Sequence, residues 1–105
     1  MKKMNGLDIT VLGADGHMEV CVTIDEDSHW RLMELADKTG LFVRMIDYYD
    51  DAEFAVTELN NFMSEAVSLR ERCGNDDTLQ TYLDDIIEVA KFAKSTNRPL
   101  RAIAD

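Results

Sequence analysis

Two stretches near the N-terminus alternate with a period of two, and they leave the chain few choices. In Leu7–Leu12, Leu7, Ile9 and Val11 share one face, with Asp8 and Thr10 on the other. In Met18–Ile24, Met18, Val20, Val22 and Ile24 oppose Glu19, Cys21 and Thr23. Such alternation marks a half-buried strand. Between the two lies Gly13-Ala14-Asp15-Gly16, whose Asp-Gly step suits a tight turn. The expected unit is an antiparallel hairpin, apolar on one side and polar on the other.

The rest of the chain supplies helices to cover the apolar side. Asp25-Glu26-Asp27-Ser28 is a helix start, because short oxygen-bearing side chains accept from free backbone amides and suit the positive dipole end. A first helix is expected over 28–38, burying Leu32, Leu35 and Ala36 with Trp30 or Met33 beside them, and Gly40 stands as its left-handed terminator. The apolar stretch 41–46 is too short for a helix and is expected to be a third strand. A loop, Asp47-Tyr48-Tyr49-Asp50-Asp51, then runs on into Ala52, Glu53 and Phe54.

A second helix is expected over 58–72, capped by Thr57 and ended by Gly74. Its apolar residues Leu59, Phe62, Met63, Ala66, Leu69 and Cys73 recur at helical spacing. Asp77 and Gln80 have the spacing of a capping box ahead of a third helix over 78–94. That helix carries Leu79, Tyr82, Leu83, Ile86, Ala90 and Ala93 on one face, widened by Ile87 and Val89, with Asp84, Asp85 and Glu88 opposite. Pro99 stops it, and 100–104 is a candidate final strand. The expected fold class is α+β: a small antiparallel sheet, made of the N-terminal hairpin and one or two short strands, with three helices packed on it. At 105 residues this is a single domain spanning 1–105.

Charge bounds the function. Lys and Arg total 11 against 21 Asp and Glu, a net charge of −10. A domain this acidic repels nucleic-acid backbones and anionic membranes, and it attracts basic partners. Solubility alone accounts for such a charge equally well. Met1-Lys2-Lys3-Met4-Asn5-Gly6 has no apolar run behind its lysines and does not resemble a secretory signal. Cys21 and Cys73 lack metal-type spacing and are expected as two reduced thiols, which points to the cytoplasm.

Catalytic machinery is hard to find. The hairpin turn lacks the Gly-Lys-Ser/Thr ending of a phosphate loop. Ser28 and His29 are adjacent, and neighbours on a helix point about 100° apart, so they do not form a nucleophile–base pair. Ser28 is expected to cap the helix and His29 to face solvent. Cys21 with His17 or His29 has no third ligand at fixed spacing. No cofactor or metal is expected, and the chain is not expected to be an enzyme.

The acidic loop is the candidate site. Asp47, Asp50, Asp51 and Glu53 could hold Ca²⁺ or Mg²⁺, but the spacing is not that of an EF-hand. Two readings weigh more: a solvated turn, or a partner-binding surface made of Asp47, Tyr48, Tyr49, Asp50, Asp51 and Glu53. Aromatic anchors ringed by polar groups are typical of protein interfaces. Trp30, beside Asp25, Glu26 and Asp27, is expected in the core, with a contact surface as its other role.

The run Arg44-Met45-Ile46-Asp47-Tyr48-Tyr49-Asp50-Asp51-Ala52-Glu53-Phe54 and the tail Pro99-Leu100-Arg101-Ala102-Ile103-Ala104-Asp105 resemble segments of small bacterial proteins of the toxin–immunity kind, including contact-dependent growth inhibition. The resemblance assigns no residue a role. It implies a cytoplasmic immunity protein that binds and neutralises one cognate toxin domain. A basic, nuclease-type toxin would fit the charge. Two alternatives stand beside this expectation. One is a non-enzymatic adaptor or regulatory subunit, with 41–46 or the final strand pairing across a homodimer edge. The other is a metal-dependent hydrolase built on the acidic loop.

Overall fold

The computed structural model describes residues 6–36, 38–45 and 50–104. Strands β1 (Leu7–Leu12) and β2 (Met18–Ile24) form the expected hairpin. Gly16 takes φ +86° in the turn, a conformation that glycine adopts without steric cost. After helix α1 (Glu26–Leu35) comes a 3₁₀ turn, Phe42–Met45, then the short strand β3 (Ala52–Phe54). A second 3₁₀ turn, Val56–Glu58, leads into helix α2 (Leu59–Arg72). Helix α3 (Asp77–Ser95) and strand β4 (Leu100–Ala104) complete the order. The fold is α+β: one antiparallel sheet, β2-β1-β4-β3, with three helices.

The core lies between the sheet and the helices. Leu7, Ile9, Val11 and Ile24 from the hairpin, with Leu100 and Ala102 from β4, meet Leu79, Leu83, Ile86 and Ala90 of α3 and Phe62 and Ala66 of α2, all sealed from solvent. Phe62 is stacked on Phe42 with centroids 4.6 Å apart, and it meets Phe54 at 4.7 Å.

Several expectations are corrected. The stretch 41–46 is not a strand over its described residues. The Glu65 carboxylate accepts from the backbone N–H of Leu41 at 2.6 Å and of Phe42 at 3.2 Å, so a side chain takes amides that a ladder would have used. Phe42 and Met45 are both buried, a spacing of three that suits a 3₁₀ turn and not a pleat. The strand lies instead at Ala52–Phe54, where a loop is expected from sequence. Gly40 is not left-handed. It sits where an added Cβ would run into the Glu65 carboxylate.

β4 is interior, paired to β1 on one side and to β3 on the other. Neither it nor the described residues of 41–46 therefore offer the dimer edge expected from sequence. Met18, expected on the buried face, is 43% exposed. The β1–β2 register slips between Val11 and Leu12, so that Met18 pairs with Leu12. A one-residue slip sends a side chain to the other face of a sheet.

Helix α1 begins earlier than expected. Asp25 is its cap, accepting from Ser28 N–H at 3.2 Å. Ser28 and His29 are buried, and Trp30 is 46% exposed. The expected orientation of that turn is thus reversed. His29 Nε2 lies 2.5 Å from the Met45 carbonyl, and this contact sets which side of α1 turns inward. Asp76, not Asp77, caps α3 by accepting from Leu79 N–H at 3.1 Å.

Candidate functional site

Of the acidic stretch singled out from sequence, Asp47, Tyr48 and Tyr49 lie outside the described residues. Asp50 and Asp51 are exposed, and Glu53 is exposed on strand β3. Asp51 also braces the sheet, because its carboxylate accepts from Ala104 N–H at 2.8 Å and so closes the end of the β3–β4 pair. Glu53 faces Arg101 across the ladder, and no ion pair joins the two. Arg44 lies on the other side, with Nη1 donating to the Glu53 carbonyl at 3.3 Å and the guanidinium 5.5 Å from the Phe54 ring centroid. Of these two arginines, Arg44 has its charge met by Glu58.

Much of the surplus negative charge is employed within the fold. Glu58 takes two hydrogen bonds from Arg44, at 2.8 and 2.5 Å, and one from Ala55 N–H at 2.9 Å. The Arg44 guanidinium, and after it the Ala55 amide, hold the Glu58 carboxyl at about 2, against an ordinary value of 4.5. Asp76 caps α3 and also takes Arg31. Asp84 receives Arg70 at 2.6 Å, and Glu19 is 3.0 Å from Arg98. Asp25 caps α1 and accepts from the Tyr82 hydroxyl at 2.9 Å. Burial, then that carboxylate, push the Tyr82 hydroxyl up.

Other acids are left to solvent. Among the described residues, Glu34, Asp50, Glu53, Glu71, Asp77 and Asp85 are exposed and make no ion pair. They come from α1, from β3 and the residues before it, from α2 and from α3. What concentrates one part of the surface is an aromatic side chain. Glu26, Trp30 and Glu34 follow at intervals of four on α1, which stacks them along one stripe, and all are exposed, with Asp27 beside them. Trp30 is the sole tryptophan of the chain, and a half-exposed indole bordered by carboxylates has the make-up of an interface anchor. Through the His29–Met45 contact, α1 lies directly against the turn from which the chain enters 46–53. The acid run before Trp30 is the sequence signal for this surface. The helix phase that turns the ring outward has no such signal.

The conceivable catalytic combinations are not brought together. His29 is engaged with Met45, and His17 Nδ1 is 2.8 Å from Asp15. Cys21 Sγ has Thr23 Oγ1 at 3.9 Å, and burial pushes its thiol up, away from the nucleophilic thiolate. Cys21 and Cys73 are both free thiols. Among the described residues no group of three or more His, Cys, Asp or Glu is placed to hold a metal ion, and no helix is long and apolar enough to cross a membrane.

Comparison of the chain with protein-family models, with curated proteins and with solved structures returns no match.

Proposed function

We propose that this chain is a cytoplasmic immunity protein, a non-enzymatic inhibitor that binds and neutralises a cognate basic toxin domain of the nuclease kind. The observation that carries the reading is Trp30, half-exposed on the acidic stripe of α1, whose neighbour His29 is the residue held by the Met45 carbonyl. An anchor of this type supplies affinity, and carboxylates around it supply steering and partner choice. The contact surface is assigned to Trp30 and Glu34 together with Asp47, Tyr48, Tyr49, Asp50, Asp51 and Glu53. A basic nuclease cleft, shaped for phosphates, accepts carboxylates in their place. The surplus of −10 would raise the rate of encounter with it at low salt.

The experiment is affinity capture from the native host with wild-type protein and with Trp30→Ala as parallel baits. The reading expects a basic protein retained by the first and lost by the second, and expects purified wild-type protein to suppress that protein's nuclease activity. Retention by both baits alike removes Trp30 from the surface. Suppression of no activity removes the inhibitor reading.

A further inference from the structure

Among the described residues β2 is an outer strand of the sheet, and a groove of about 640 Å³ runs between its edge and α3. Val20 and Val22, half-buried, line it from the strand, and Tyr82 and Val89 line it from the helix. Asp85 and Glu88 stand along it, and no cation is among its lining residues. Lys91 lies 3.3 Å from Glu88, an exposed pair of the kind that contributes little.

The register fixes what the edge presents. Ala104 N–H points toward β3, where Asp51 accepts it. Backbone groups alternate sides along a strand, and directly paired residues face each other or both face away. Those of Ile103 and Arg101 therefore point to β1, those of Asp8 and Thr10 to β4, and those of Leu7 and Ile9 to β2. Ile24 and Val22 answer Leu7 and Ile9, which leaves Cys21 and Thr23 with amide and carbonyl directed outward, and both border the groove. No strand among the described residues lies beyond β2.

An open edge of this kind accepts an extended peptide by strand addition, with main-chain bonds giving affinity and side-chain sites giving selection. We propose that the β2–α3 groove receives an extended segment of a protein partner as an added strand, with Lys or Arg at alternate positions. The apolar stems of those side chains would lie over Val20, Val22 and Tyr82, and their charged ends would reach Asp85 and Glu88. A second copy of this chain is the competing occupant, and charge opposes it. Pairing β2 to β2 would bring two acidic grooves together in molecules that each carry −10. The inference rests on the reading of a basic protein partner and gives that partner's contacting segment a shape. Its failure is distinguishable, because Trp30 variants leave the groove intact and groove variants leave Trp30 intact.

The test uses a capped peptide alternating Lys with Thr as the probe, followed by amide NMR signals and hydrogen exchange of the full chain. The expected result is shifted and protected amides at Cys21 and Thr23, with none of this from a peptide alternating Glu with Thr. Reversal of both acids, Asp85→Lys with Glu88→Lys, should weaken the Lys peptide by about tenfold or more at low salt. Cys21→Pro, a change tolerated on an edge strand, should abolish the protection. Light scattering should show a monomer. The proposal is overturned by unmoved Cys21 and Thr23 amides at millimolar Lys peptide, by equal binding of the Glu peptide, or by a dimer that protects the same amides.

Discussion

Trp30 and His29 meet edge to face, their ring centroids 5.2 Å apart, with one ring 46% exposed and the other 1%. The two are consecutive on α1, so sealing one directs its neighbour outward by about 100° of helix rotation. His29 is held by the Met45 carbonyl, and that bond in effect presents Trp30 to the surroundings.

The two substitutions should accordingly part company. His29→Ala removes a buried side chain and its hydrogen bond and should cost about 1–3 kcal/mol of stability. Trp30→Ala should change stability by under about 1 kcal/mol, as exposed substitutions do, while removing partner binding. Urea denaturation of each variant checks the first contrast, and capture of the partner checks the second.

The Arg44–Glu58 pair predicts a specific response to acid. Glu58 has its folded value depressed to about 2 from 4.5, so the unfolded chain takes up the proton first as pH falls. The contribution of this group is present above about pH 4.5 and is lost as pH falls through about 2. A pH series of urea denaturations of wild type and Glu58→Gln should show a stability gap that narrows across that window and stays constant above it. A gap independent of pH would contradict the assignment.

Gly40 and Glu65 form a steric pair. A Cβ at Gly40 meets the Glu65 carboxylate, which is also the acceptor for the Leu41 and Phe42 amides. Gly40→Ala should therefore cost about 1 kcal/mol, the scale of hydrogen bonds lost at part-buried donors. Combined with Glu65→Ala it should add little further, since both changes break the same contact. A double-mutant cycle by thermal or urea unfolding reads this directly.

Phe62 lies between Phe42 and Phe54 and is fully buried. Phe62→Ala should cost about 3–5 kcal/mol, and its denaturation midpoint should fall well below that of Trp30→Ala.

The hairpin, the third helix and the final strand are legible in the sequence because each carries its own periodicity. Leu7, Ile9 and Val11 alternate without interruption, and α3 repeats its apolar positions along its whole length. β3 is hidden because Ala52 and Glu53 have little preference for strands. Only the pairing of Ala52, Glu53 and Phe54 with Ala102, Arg101 and Leu100 makes them one. The stretch 41–46 misleads because its apolar density fits a strand, and the deciding partner, Glu65, lies 23 and 24 residues away from the amides it accepts. The phase of α1 is lost for a similar reason. In ten residues with His, Trp and Arg at its centre, a contact to Met45 decides which side is buried. Within the candidate surface the excess of acid is legible, but its division into carboxylates that brace the fold and carboxylates left to solvent depends on tertiary contacts.

An acidic, tryptophan-centred surface that engages a basic protein can be watched through its own indole. With a single tryptophan in the chain, the emission of Trp30 reports its burial. The decisive experiment is a titration with a candidate basic toxin domain lacking tryptophan, repeated across salt concentrations. A saturable blue shift at one-to-one stoichiometry is expected, weakening steeply as salt rises. An emission spectrum that stays fixed while the toxin is bound and inhibited would refute the placement of Trp30 at the interface.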